Sequence, residues 1–139
     1  MTAFDTDVLT EILQGSPRFV ERAAAIPGHE QTVPIVVFEE IMRGRLNVIR
    51  QAEAGSGKVT IAHAYELLEK TFSDFRRIQI LLHTPQAEAL YQRWRQQGIR
   101  IATHDLRIAA GCVVQSTKLV SRNRKDFDGV PGLNVEFWD

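Results

Sequence analysis

The chain has 139 residues, 44% of them apolar and 24% charged, a balance that fits one ordinary folded domain spanning 1–139 and excludes a disordered or collagen-like polymer. Lys plus Arg and Asp plus Glu each number 17, so no general basic field marks a nucleic-acid partner and any phosphate-binding surface must be local. The single cysteine, Cys112, lies in the apolar run IAAGCVV, which excludes an intramolecular disulfide and leaves it as a packing residue. No window approaches about 18 uninterrupted apolar residues, and MTAFDTDVL lacks the basic start and apolar core of a signal peptide. The expectation is a cytoplasmic protein with no membrane partner.

In chain order, Thr2–Phe4 reads as a short strand ending at Asp5. Val8–Gln14 has helical apolar spacing closed by Gly15, and Ser16 with Pro17 caps a second helix over Arg18–Ile26. Thr32–Val36 is the next strand. From Val37 to about Arg50, Phe38, Ile41, Met42, Leu46 and Ile49 recur at three- and four-residue spacing, predicting a helix with Glu40 in its first turn. A glycine-containing connection, 54–58, leads to a long helix at Ile61–Phe75 carrying Tyr65, Leu68 and Phe72 on one stripe.

Arg77–Leu82 follows as a strand, then a helix from Pro85 to Gln97 with Leu90 and Trp94 inward. His104 or Asp105 caps a helix over Leu106–Val114, Lys118–Ser121 is a strand, Arg122–Lys125 a polar turn, and Asn134–Phe137 a last strand. Strands alternating with helices predict a three-layer α/β/α fold with a mainly parallel central sheet.

In such sheets ligands collect beyond the carboxyl ends of the strands. Those ends are acidic here: Asp5 and Asp7, Glu40, Asp105, and Asp126 with Asp128 come from four separate segments. Each acid taken singly is explained by helix capping and the helix dipole. Taken together, crowded carboxylates stay ionised most easily around a divalent cation, and hard oxygen donors suit Mg²⁺ or Mn²⁺.

Four motifs resemble the PIN-domain ribonucleases, and in particular VapC toxins. FDTDVL is similar to the family's first motif, with Asp5 and Asp7 in its acidic places. VFEEIMRG resembles the second and selects Glu40 over Glu39. HDLRIAA resembles the third, matching Asp105, and LVSRNRKDFDGVPGLNVEFW resembles the VapC ending, with Ser121 in the usual Ser or Thr place. Many members carry a fourth Asp where this chain has Asn123; an amide oxygen adds no charge, so Asn123 is expected to orient a metal-bound water or Asp126 to supply the charge, and the choice stays open.

The resemblance implies a PIN-like fold and a metal-dependent endoribonuclease acting on structured RNA such as tRNA. Its metal residues would be Asp5, Glu40, Asp105, Asn123 and Asp126, its catalytic residues Asp5, Glu40, Asp105 and Asp126, and its supporting residues Asp7 and Ser121. It also implies a cognate antitoxin and a homodimer. Basic residues beside the acids, Arg43, Arg45, Arg107, Arg122, Arg124 and Lys125, are candidate RNA contacts, weighed against ordinary solvated surface charge.

Other signals are weaker. AEAGSGKVT has Ala52 and Val59 where a P-loop needs Gly and Ser or Thr, and the histidines at 29, 63, 83 and 104 show no zinc-ligand spacing. Two rival readings stand beside the nuclease. Asp5-Thr6-Asp7-Val8 loosely matches the nucleophile motif of haloacid dehalogenase-like phosphatases, though Leu9 stands where Thr or Val belongs. The other is a non-catalytic PIN-like module binding RNA or protein.

Overall fold

The computed structural model describes residues 1–139. Five strands, β1 (Thr2–Phe4), β2 (Gln31–Pro34), β3 (Ile80–Leu81), β4 (Lys118–Ser121) and β5 (Val135–Phe137), form one sheet in the order β3-β2-β1-β4-β5. Every pairing is parallel, with Ala3 opposite Thr32 on one side and Leu119 on the other. Seven helices flank the sheet: α1 (Thr6–Leu13), α2 (Pro17–Ala24), α3 (Ile35–Glu53), α4 (Ile61–Phe75), α5 (Pro85–Gln96), α6 (Thr103–Val114) and α7 (Arg124–Phe127). The α/β/α layering read from the sequence is therefore the architecture found.

β1 is central, so all three of its residues, Thr2, Ala3 and Phe4, are buried. Its Phe4 packs with Trp138 at a ring separation of 5.8 Å, and Phe19 of α2 meets the same indole at 6.3 Å. One contiguous core joins Phe4, Val8, Leu106, Ile108, Leu119 and Phe127. Helix α6 is buried nearly all round, Cys112 included, because it lies against the sheet and under α5. Burial pushes the Cys112 thiol up to about 12, which suits packing and not nucleophilic chemistry.

Several expected boundaries move. The β-branched run Ile35-Val36-Val37 looks like strand but begins α3, because Pro34 has no N–H for the ladder and its fixed φ turns the chain into a helix. Glu40 consequently sits in the second turn of α3, not the first. α1 starts at Thr6, with Asp5 as its cap, two residues before the expected start. α6 starts at Thr103 and its cap position is Ala102, so neither His104 nor Asp105 is the cap.

Ser16 occupies the cap position of α2, but its hydroxyl bonds Glu11 and not the helix backbone. A short 3₁₀ turn, Gly28–Glu30, precedes β2. The expected strand at Arg77–Leu82 shrinks to two residues at the sheet edge. Where a polar turn was expected, Asn123 caps the four-residue α7 by accepting from the Asp126 N–H. On α4 the stripe of Tyr65 and Phe72 faces outward, while Ala64 and Thr71 are the buried residues.

Candidate active site

Because all strands are parallel, their carboxyl ends share one edge. Asp5 leaves the end of β1, where its backbone N–H donates to Val120 of β4 at 3.0 Å. Its carboxylate is buried: Oδ1 accepts the Thr6 N–H at 2.8 Å and Oδ2 accepts the Ser121 hydroxyl at 2.8 Å. Burial nonetheless outweighs these bonds and pushes its pKa up.

Glu40 reaches the same edge from α3. Oε2 accepts the Thr6 hydroxyl at 3.3 Å, whereas Oε1 is buried with no hydrogen-bond partner. The dipole of a helix falls off within its first turn, so capping does not account for Glu40. Its pKa is raised by burial and then by the charge of Asp5, with His104 acting in the opposite direction. Asp105, in the first turn of α6, makes no side-chain hydrogen bond and is pushed up to about 6, by burial first and then by Asp5, Glu40, Asp126 and Asp7.

The remaining candidates arrange themselves around this group. Asp7 is exposed on α1. Ser121 ends β4 fully buried, donating a hydrogen bond to Asp5 and accepting one from the Asn123 N–H at 3.0 Å. Asn123 turns both ends of its amide on Asp126: Nδ2 donates to Oδ2 at 2.8 Å, and Oδ1 accepts from the backbone at 3.3 Å. Asp126, the charged member of this pair, adds to the upward push on Asp105.

Four segments thus bring carboxylates into one electrostatic neighbourhood. In this arrangement no three Asp, Glu, His or Cys side chains close into a ready ligand group. The donor chemistry still fits a hard divalent cation: mutually repelling carboxylates, one of them with an orphaned buried oxygen, lack only a positive charge among them.

The basic candidates differ sharply. Arg107 forms two bonds to Glu88 of α5, at 3.0 and 3.1 Å, and stacks on Tyr91 at 4.5 Å. Arg43 pairs with Glu39 at 2.7 Å, Arg122 with Glu11 at 3.5 Å, and Arg124 lies over Phe137 at 4.5 Å. Arg45 has only Thr71, through Nε at 2.9 Å. Lys125 is exposed. Sequence reasoning missed the Thr6 hydroxyl on Glu40, and it left His104, 3.4 Å from Glu39, as a bare neighbour. Nothing in the sequence pairs Thr6 with a residue so far along the chain.

The sequence matches no protein-family model, and no curated protein resembles it. Solved structures do. A chain of the VapBC2 complex from Rickettsia felis, bound to a promoter DNA fragment, superposes with a TM-score of 0.73 at 20% identity, covering 99% of this chain and 98% of that one. The DNA-bound VapBC of Salmonella typhimurium gives 0.77 at 15% identity over 99% and 98%. VapBC-5 of Mycobacterium tuberculosis gives 0.61 at 18% identity over 98% and 95%. At these identities the shared property is the fold, and it is the PIN-like fold of VapC-type toxins along nearly the whole chain.

Proposed function

We propose that this protein is a metal-dependent endoribonuclease and the toxin of a toxin–antitoxin pair, acting in the cytoplasm on structured RNA such as tRNA. The observation that carries the reading is the convergence of Asp5, Glu40 and Asp105, from three distant segments, at the carboxyl edge of a parallel sheet whose fold is that of VapBC complexes. Asp5, Glu40, Asp105 and Asp126 are the residues that would hold Mg²⁺ or Mn²⁺, with Asn123 orienting Asp126. When bound, such an ion supplies a nucleophilic water at neutral pH and neutralises charge on the phosphate oxygens. Ser121 and the Thr6 N–H fix Asp5 from two sides, Thr6 holds one oxygen of Glu40, and the unpartnered oxygen of Glu40 is free to take a ligand or a proton.

A cognate antitoxin belongs to the same reading, supported by matches to a toxin–antitoxin complex from Klebsiella pneumoniae and to VapBC-5, a member of a toxin–antitoxin family. So does a homodimer, for which the outward Leu46, Tyr65 and Phe72 provide apolar surface. No helix is long and apolar enough to cross a membrane. The phosphatase reading is disfavoured because both oxygens of Asp5 are tied down, an arrangement suited to holding and not to nucleophilic attack. Asn123, standing where many family members carry a charged Asp, favours a second reading, the non-catalytic PIN-like module.

One experiment separates these: incubate purified tRNA with the protein, with and without Mg²⁺ or Mn²⁺, beside Asp5→Asn and Asp105→Asn. Cleavage that requires the ion and disappears in both variants supports the nuclease. RNA binding without ion binding or cleavage supports the module, and cleavage surviving both substitutions removes the proposed site.

A further inference from the structure

We propose that the groove between α1, α3 and α4 guides the RNA strand to the acidic edge, with Arg45 and Lys70 holding its phosphates; this deepens the nuclease reading and rests on it. The groove encloses about 300 Å³ and is lined by Thr10, Gln14, Arg45, Lys70, Thr71 and Asp74, together with Ile41 and other apolar side chains. None of the site acids lines it, but it starts beside residues next to them. Thr10 lies one turn along α1 from Thr6, whose hydroxyl bonds Glu40, and Ile41 follows Glu40 on α3.

A cluster of carboxylates repels the phosphodiester it must cut, so cations are needed just outside it. The structure sorts the available ones. Arg107 is bound twice by Glu88, Arg43 and Arg122 pair with Glu39 and Glu11, and Arg124 lies over Phe137; of the arginine candidates only Arg45 lines the groove. Arg45 is half-buried, forms no ion pair, and commits only Nε, to the buried Thr71 hydroxyl. That bond aims the guanidinium while leaving its terminal N–H groups available for the two-pronged grip a phosphate accepts. Lys70 pairs with Asp74 at 2.9 Å in an exposed i,i+4 contact, weak enough for a phosphate to displace. Thr10 and Gln14 add neutral donors along the same wall.

The test is equilibrium binding of a fluorescein-labelled single-stranded RNA to the full chain in EDTA, which prevents cleavage, over a series of NaCl concentrations. Arg45→Ala and Lys70→Ala should each weaken binding severalfold and flatten the slope of log K against log salt by about 0.7 for each phosphate that is no longer neutralised. Thr71→Val, which removes the aim of Arg45 but no charge, should weaken binding with an unchanged slope. Lys118→Ala, whose charge pairs with Glu136 at the other end of β4, should change neither. If Arg45→Ala does not fold, Lys70→Glu on the exposed face of α4 carries the same test and should weaken binding further than Lys70→Ala.

Wild-type affinity and slope in the folded charge variants would overturn the groove while leaving cleavage by the wild type, and so the nuclease reading, intact. A loss confined to binding of a partner protein would overturn it equally. A wild type that neither binds nor cuts RNA would remove both.

Discussion

Ser121 donates a 2.8 Å hydrogen bond to Asp5, tying the end of β4 to the end of β1 around a buried carboxylate. Ser121→Ala leaves that carboxylate one donor short in a site where burial already raises its pKa. The variant should lose about 1–2 kcal/mol of stability at neutral pH, and the acid limb of its cleavage profile should move to higher pH. Urea unfolding and a pH–rate series check both, and Ser121→Thr should restore both.

Asp105 gives a prediction of opposite sign for stability and activity. Its pKa of about 6 in the folded protein lies above the ordinary 3.8, so between those values the native state binds the extra proton and metal-free stability falls as pH rises through that window. Asp105→Asn should therefore stabilise the metal-free protein by about 1 kcal/mol at neutral pH, discounted for partial exposure, and change little near about pH 4. The same variant should cleave RNA roughly 100-fold or more slowly. Thermal unfolding in EDTA at the two pH values and single-turnover cleavage measure the two effects. Added Mn²⁺ should raise the wild-type Tm in a saturable way and the variant's far less.

Asn123 has both ends of its amide on Asp126, so a charge in its place sets carboxylate against carboxylate. Asn123→Asp should cost about 1 kcal/mol without metal and tighten Mn²⁺ binding. Asn123→Ala uncaps α7 for a similar cost and releases Asp126, lowering cleavage about tenfold or more. Titration calorimetry with Mn²⁺ distinguishes the two variants.

Arg107 holds Glu88 down to about 2. The folded pKa lies below the ordinary 4.5, so this contribution is present above that value and is lost as pH falls toward 2. Both side chains are about one-third exposed, and Glu88→Gln should cost only about 1 kcal/mol at neutral pH, vanishing in strong acid. The pair ties α5 to α6, which carries Asp105. Arg107→Ala should likewise lower Tm while leaving the salt slope of RNA binding unchanged, which a denaturation series and a salt titration report separately.

Local periodicity and turn chemistry made most of the fold readable. The strands at Thr2–Phe4 and Lys118–Ser121 and the helix at Ile61–Phe75 lie where their patterns place them. Ile35-Val36-Val37 misleads because β-branched residues favour strand until a proline and the sheet edge override them. The outward stripe of α4 misleads for another reason: helical spacing identifies a face, not which face is buried. At the site, each acid was legible from its place after a strand or at a helix start. The place of Arg45 was not, since it depends on which basic side chains line the groove, and the Arg107–Glu88 pair spans two helices.

The sheet order seats β1 between β2 and β4, and the hydroxyl that closes over Asp5 comes from Ser121, 116 residues away in sequence. Enclosing that carboxylate therefore waits on pairing between distant segments, so a partly folded chain carries Asp5 without its surroundings and the acidic edge is assembled late.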